Sequence, residues 1–255
     1  MGSERLNSVE RFSDRVENYV KYRPDYPPEV LELFEAEMGL TEESLVADVG
    51  AGTGISSRLF LENGNTVYGV EPNANMRDAA ERYLARFEKF HSVDGTAERT
   101  GLPDGSVDIV TAAQAFHWFQ PAAARAELRR ILKPGGHVAL IWNERQLEAD
   151  DFHREYEGML LKFAEDYTQV RHDNINDLSL GEFFGQPFER AMFPNAQVLD
   201  LEGLKGRAAS SSYLPSPGDE RYAEMEKEVE GLFAKHAENG RITVFYDTKV
   251  FYTKY

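Results

Sequence analysis

The sequence predicts an α/β fold built on a mostly parallel sheet, and three observations carry that expectation. Short apolar runs alternate with amphipathic stretches from about residue 28 to 142, the rhythm of strands joined by crossover helices. One of those runs, V-A-D-V-G-A-G-T-G-I from Val46 to Ile55, passes at its carboxyl end into a glycine-rich turn. The C-terminal run R-I-T-V-F-Y-D-T-K-V-F-Y-T-K-Y keeps one parity of Ile242, Val244, Tyr246, Val250 and Tyr252 across Asp247–Thr248. It therefore reads as one long strand and not as a two-residue hairpin.

The elements follow in order. Pro27–Pro28 opens a helix over about Glu29–Met38, and Leu45–Val49 is a short apolar strand. A helix over Ile55–Asn63 is stopped by Gly64. Thr66–Val70 is the second strand, and Asn73 caps a helix reaching about Phe87. Phe90–Val93 and Val107–Ala113 are the third and fourth strands, followed by a helix over Pro121–Leu132. Lys133–Gly136, K-P-G-G, is a turn, and His137–Trp142 is the fifth strand. After residue 144 the rhythm breaks. Residues 145–185 are rich in charge and aromatics and read as helical; a strand near Ala196–Leu199, a helix near Asp219–His236 and the long last strand follow.

A chain of 255 residues fits one domain with a sizeable insertion. Residues 1–42 form an N-terminal covering segment, 43–144 the binding core, 145–200 a variable lid, and 201–255 the completion of the sheet. There is no cysteine, which excludes disulfides, thiolate metal sites and a cysteine nucleophile. The formal net charge of −16 disfavours nucleic acid and anionic membrane surfaces as partners. No run approaches the roughly 20 apolar residues of a membrane span, and Met1–Arg11 lacks a signal-peptide core, so the chain reads as soluble and cytoplasmic.

The glycine-rich turn asks which nucleotide it binds. A dinucleotide fingerprint needs G-x-G-x-x-G, but counting from Gly50 puts Ile55 at the third glycine. A P-loop needs Lys after its last glycine, and none follows Gly54. What remains is D-x-G-x-G-x-G after an apolar strand, glycines that let backbone approach a ligand closely. The acid of V-Y-G-V-E-P, Glu71, stands at the carboxyl end of the second strand, where a carboxylate can accept hydrogen bonds from both hydroxyls of a ribose. Further on stand D-G-T-A-E (Asp94–Glu98), L-P-D-G-S-V-D-I-V-T-A-A-Q-A-F-H-W-F over the fourth strand, and L-K-P-G-G (Leu132–Gly136).

In this order the motifs resemble the class I S-adenosylmethionine-dependent methyltransferases, over about residues 43–142. The flanks, Arg11–Val30 and Leu201–Pro215, are similar to the small-molecule group that includes trans-aconitate methyltransferase. The resemblance implies a Rossmann-like, doubly wound sheet of seven strands with the last strand antiparallel and a helical lid inserted after the fifth. It implies S-adenosylmethionine as cofactor, held by Asp48, Gly50, Ala51, Gly52, Thr53 and Gly54 in the first turn and by Glu71 and Pro72 at the ribose. Gly95, Thr96, Ala97 and Glu98 edge the adenine, and Met76 packs on it or is plain core. Gln114, Ala115 and Phe116 follow the fourth strand, with Gln114 facing the cofactor's ammonium. Tyr22 and Arg23 reach it from the N-terminal segment, Arg23 toward the carboxylate.

On the acceptor side stand Tyr19, Tyr26, Trp118, Trp142 and Tyr156. His117 is either the proton acceptor or a histidine that holds the loop. His153, Tyr156, Phe163, Tyr167 and His172 are either a lid or ordinary amphipathic packing. Methyl transfer needs a base only if the acceptor loses a proton, so no catalytic dyad is expected and none is found. For a carboxylate acceptor, Arg23, Arg145 or Arg171 would supply the cation. No metal site is expected, because Arg171-His172-Asp173 lacks a second ligand at a usable spacing. The competing readings are a protein that binds S-adenosylmethionine without methylating anything, and an NAD-linked oxidoreductase, which Ile55 disfavours. Oligomeric state is not legible.

Overall fold

The computed structural model describes residues 21–164, 177–211, 213–215 and 217–255. Tyr19, Tyr167, Arg171 and His172 lie outside the described residues. Seven strands form one sheet in the order β3-β2-β1-β4-β5-β7-β6. They are β1 (Leu45–Val49), β2 (Thr66–Val70), β3 (Phe90–Val93), β4 (Val107–Ala113), β5 (Leu132–Arg145), β6 (Glu189–Leu199) and β7 (Ile242–Lys254). β1 to β5 pair in parallel, and β7 runs antiparallel between β5 and β6. The expected doubly wound sheet with its antiparallel last strand is the observed one.

The helices are α1 (Glu29–Met38), α2 (Ile55–Glu62), α3 (Ala74–Tyr83), α4 (Pro121–Ile131), α5 (Asp151–Phe163), α6 (Asp177–Phe184), α7 (Leu201–Ala209) and α8 (Tyr222–His236). Strand parity sorts the core into two layers. Val46, Ile109, Ala139, Ile141 and Val250 pack with Val30 and Phe34 of α1 and Phe60 of α2. Ala47, Val110, Val138 and Leu140 pack on the opposite face with Leu128 of α4 and Phe183 of α6. A third cluster joins α5, α7 and α8 to Ile242, Val244 and Tyr246, the first half of β7. Because β7 is antiparallel, that half lies beside the carboxyl end of β5: Tyr246 pairs with Arg145. Among the described residues of the segment 145–200 expected as a lid, α5 is the helix that joins this lobe, while α6 packs in the α4 core and β6 edges the sheet. The lobe stands at the strand ends where open α/β sheets bind ligands.

Some boundaries differ from expectation. Lys133–Gly136 lies inside β5 instead of forming a turn before it; a Cβ on Gly136 would fall 2.7 Å from the Asp108 carbonyl oxygen, so only glycine passes there. The helix after Asn73 ends at Tyr83, short of Phe87. β6 begins seven residues before the expected Ala196, and α7 was not anticipated. β7 is a single strand: alternate residues from Ile242 to Tyr252 are buried. It pairs along its length with β6 and through most of it with β5.

Candidate cofactor and acceptor site

The glycine turn is stapled to the neighbouring strand. The N–H groups of Gly50 and Ala51 both donate to the Val70 carbonyl, at 2.8 and 3.1 Å. Gly50, Gly52 and Gly54 have φ of 74°, 55° and 86°, the left-handed region that suits glycine. A Cβ on Gly50 would sit 2.5 Å from the Ala115 Cβ, whereas one on Gly52 would meet nothing within 4 Å. The turn is therefore closed beneath and open above Gly52, the shape a ligand lying over the backbone requires.

Two acids hold this turn. Asp48 is fully buried, and its Oδ2 accepts from Ser56 Oγ at 2.7 Å and Ser57 Oγ at 2.6 Å in the first turn of α2. Burial pushes its carboxyl above the usual carboxylate range, against the pull of the two hydroxyls. Its Oδ1 has no partner among the described residues. Glu71 accepts from Gly52 N–H at 3.0 Å through Oε2 and from Asn73 N–H at 2.9 Å through Oε1. Burial raises its carboxyl too, with these two N–H groups and Arg77 opposing. Each oxygen keeps a lone pair for a further donor. Arg77 donates to the Glu71 carbonyl at 2.8 Å and to Asp94 at 3.1 Å, tying the ends of β2 and β3 together. Pro72 is exposed beside Glu71, and Met76 is buried in the first turn of α3.

Gln114 follows β4 with φ of 57°, one of two non-glycine residues in the left-handed region among those described. Such backbone costs about 1–3 kcal/mol and persists where surroundings enforce it. Here Gln114 N–H donates to the Ile141 carbonyl at 2.9 Å, and Nε2 donates to the Asn143 carbonyl at 3.1 Å. The carboxamide is thereby fixed with its oxygen buried and, among the described residues, without a partner. Thr53 Oγ1 is a second such atom, in the glycine turn. A buried acceptor left unpaired costs about 1–3 kcal/mol, so each invites a donor from a ligand.

At the third strand's end, Thr96 and Arg99 exchange backbone hydrogen bonds of 3.0 and 3.1 Å, closing a tight turn. A Cβ on Gly95 would strike the Thr100 carbonyl oxygen at 2.5 Å. The Ala97 methyl belongs to the core, and Glu98 accepts from Gln120 N–H at 2.7 Å, ahead of α4. After Ala115 comes a single 3-10 turn, Phe116–Trp118. His117 is exposed and its ring lies 4.8 Å from that of half-buried Trp118, both beyond the carboxyl end of β4.

The N-terminal segment crosses the strand ends. The Asp25 carbonyl accepts from Asn143 Nδ2 at 3.1 Å and Asn195 Nδ2 at 2.8 Å, and the Tyr22 carbonyl from Gln197 Nε2 at 3.0 Å. Tyr22 and Arg23, expected at the cofactor, are engaged elsewhere. The Tyr22 hydroxyl donates to Glu202 at 2.8 Å and its ring lies on Gly206, while Arg23 Nη2 donates to the Ser210 carbonyl at 3.0 Å. Both brace the segment against α7. Tyr26 packs on the α1–α2 layer. An open cavity of about 520 Å³ outside this strap touches Lys21, Arg58 and Tyr83 but none of the glycine-turn residues. Arg58 and Lys21 there are ion-paired with Asp25 and Glu202.

Two aromatic assignments need correction. Trp142, expected beside the acceptor, is 2% exposed and lies in the core between Phe116 and Phe251, each 6.1 Å away edge-on. The Phe116 ring is buried too, 4.8 Å from Phe183, so only its backbone can face a cofactor. In the lobe, His153 is a structural histidine. Nδ1 meets Asp150 at 2.7 Å and Nε2 accepts from Phe245 N–H at 2.9 Å. Phe163 is lobe core.

Tyr156 is buried as well, but in polar company. The Arg145 guanidinium lies 5.2 Å over its ring and is ion-paired with Glu157. Burial pushes the Tyr156 hydroxyl up to about 12, against the fields of Arg207 and Arg145. Arg207 is the residue that sequence reasoning missed. It lies on the buried stripe of α7 with Leu204 and Ala208, a charged side chain at an apolar position. Among the described residues no group of three or more His, Cys, Asp or Glu is placed to hold a metal ion. Among them too, no helix is long and apolar enough to cross a membrane.

The sheet order and the cradle define a nucleotide-binding α/β protein of the methyltransferase type. The methyltransferase domain model matches residues 47–140. A methyltransferase of Schizosaccharomyces pombe is 36% identical over 138 residues, 52% of this chain and 53% of that protein. One from a Geobacillus species is 31% identical over 54% of this chain and 67% of its own length. The chain spans about half the length of the first curated relatives it matches. A solved methyltransferase structure from Anaeromyxobacter dehalogenans superposes with a TM-score of 0.67 at 21% identity, over 91% of this chain and 98% of that one. An N-methyltransferase structure from Haemonchus contortus containing S-adenosylhomocysteine gives 0.58 at 16% identity, over 99% and 60%. The chain belongs to the class I S-adenosylmethionine-dependent methyltransferases.

Proposed function

We propose that this chain transfers the methyl group of S-adenosylmethionine to a small-molecule acceptor, a carboxylate included. The observation that carries the reading is Gln114, held in left-handed backbone at the carboxyl end of β4, with a buried carboxamide oxygen that has no partner among the described residues. A cofactor ammonium is the donor that oxygen fits.

The other cradle residues fit the same group. Glu71 holds the ribose hydroxyls with the lone pairs that Gly52 and Asn73 leave. Gly52 offers open backbone, and Thr53 Oγ1 is free to bond. Asp48 acts by fixing the start of α2 through Ser56 and Ser57. The turn from Gly95 to Glu98 edges the adenine. S-adenosylmethionine supplies a methyl carbon activated by its sulfonium. The protein's work is to hold an acceptor in line with that carbon and keep water out, which is worth roughly 7–11 kcal/mol. His117 and Trp118 stand beyond the carboxyl end of β4, His117 as the base for an acceptor that must lose a proton.

The small-molecule reading rests on two supports. The acidic balance, −16, opposes a nucleic-acid substrate and an anionic membrane. The carboxyl ends of the strands are crossed by the strap, whose Asp25 and Tyr22 carbonyls are held by Asn143, Asn195 and Gln197, and flanked by the helical lobe. The cytoplasm, as the compartment that supplies the methyl donor, fits this reading. The test is transfer of labelled methyl to a panel of small carboxylates, amines and phenols, with oligonucleotides and peptides as controls. Label on a small acceptor, lost in Glu71→Ala, supports the reading. Cofactor binding without transfer to any of them favours a binding protein that does not methylate.

A further inference from the structure

Arg207 is 9% exposed and carries a guanidinium into the lobe. Its contacts are neutral and long: Nε donates to the Tyr246 hydroxyl at 3.2 Å and Nη1 to Ser211 Oγ at 3.3 Å. No carboxylate pairs with it among the described residues, although Arg145 nearby is matched by Glu157. Burying a charge without a counter-charge is expensive, and proteins seldom do it without a use for the charge. The surroundings are hydroxyls. Tyr246 and Ser211 accept from Arg207, and the phenols of Tyr156 and Tyr213 stand near it. A guanidinium fork whose partners are neutral hydroxyls that accept from it, with no carboxylate beside it among the described residues, is the chemistry that binds a small oxyanion.

The position suits an acceptor. Tyr246 pairs with Arg145, and Arg145 lies two residues beyond Asn143, the residue whose carbonyl fixes Gln114. Two residues of strand span about 7 Å. The lobe's unbalanced cation is thus held by β7 close to the carboxyl end of β5, next to the cofactor cradle.

We propose that Arg207, with Tyr246 and Ser211, binds an oxyanionic group, carboxylate or phosphate, on the acceptor molecule. This rests on the methyl-transfer reading given above. Arg145 stays with Glu157, and Arg23 with the strap.

The test uses the full chain loaded with S-adenosylhomocysteine. Melting temperature and calorimetric titration are followed with succinate, with inorganic phosphate and with uncharged succinamide, in wild type, Arg207→Met and Arg207→Lys. Wild type is stabilised by succinate or by phosphate, whichever group the site takes, and not by succinamide. Arg207→Met weakens that binding about 30-fold or more. It melts no lower than wild type without anion, because an unbalanced buried charge has gone. Arg207→Lys, which keeps the charge and loses the fork, binds with intermediate affinity. No oxyanion response in wild type, or an equal response in Arg207→Met, overturns the proposal. If Arg207→Met does not fold, an Arg207→Lys response equal to that of wild type overturns it instead. Loss of S-adenosylhomocysteine binding in wild type would overturn the methyl-transfer reading and this proposal together. Cofactor binding without an oxyanion response sinks the proposal alone.

Discussion

The Gly52 N–H donates to Glu71 Oε2 at 3.0 Å, joining the turn after β1 to the acid at the end of β2. The two motifs that meet a nucleotide from different strands are thus one unit, and the acid sets the turn's shape before any ligand arrives. Glu71→Ala removes the ribose acceptor and leaves this N–H unpaired. Affinity for S-adenosylhomocysteine falls about 10- to 100-fold, the worth of one or two hydrogen bonds to a charged group. Isothermal titration measures it, and undiminished affinity would remove Glu71 from the ribose.

Asp48 makes a pH-dependent demand on stability. Burial raises its folded-state pKa above the unfolded value, and the serine hydroxyls only offset part of that shift. A carboxyl raised in this way holds its proton more tightly in the folded chain. Its penalty is absent below the unfolded pKa and grows as pH rises through the folded one. Asp48→Asn does not titrate. The stability of Asp48→Asn relative to wild type therefore increases from acid to neutral pH. Denaturation midpoints compared at several pH values check this; a gap that narrows as pH rises would mean that Ser56 and Ser57 dominate.

Gln114 sets strain against binding. Gln114→Gly relieves the left-handed backbone but loses the bond to the Asn143 carbonyl and adds chain entropy to the unfolded state. These effects nearly cancel, so stability changes by no more than about 1 kcal/mol. Cofactor binding, by contrast, falls with the lost carboxamide. Denaturant unfolding and titration of S-adenosylhomocysteine on the same sample separate the two. Equal binding by wild type and variant would show that Gln114 is strained for another reason.

What the sequence made legible follows from locality. The glycines, Glu71 and the long parity of β7 are each written in a few consecutive residues, and each took the expected place. The strap was opaque because its contacts are remote: Tyr22 meets Glu202 180 positions away, and Gln197 holds the Tyr22 carbonyl from 175. No local pattern announces such pairs. Arg207 was hidden for a different reason. In L-E-G-L-K-G-R-A-A-S two glycines blur the apolar stripe of α7, so an arginine inside that stripe does not stand out.

Trp142 could have been placed from parity alone. It shares the face of Val138 and Leu140, whereas Ala139 and Ile141 share the face of Asn143. The indole therefore enters the α4–α6 core, where its N–H has no partner among the described residues. Trp142→Phe removes ring volume, which destabilises, and also removes an unpaired buried donor, which stabilises. The net loss is about 1 kcal/mol, read by denaturant unfolding, and the KM for whichever acceptor the panel yields stays unchanged. A wall of the acceptor site would behave the opposite way. If stability holds while the acceptor KM rises severalfold, the indole N–H is paired with substrate, and Trp142 returns to the acceptor side despite its burial.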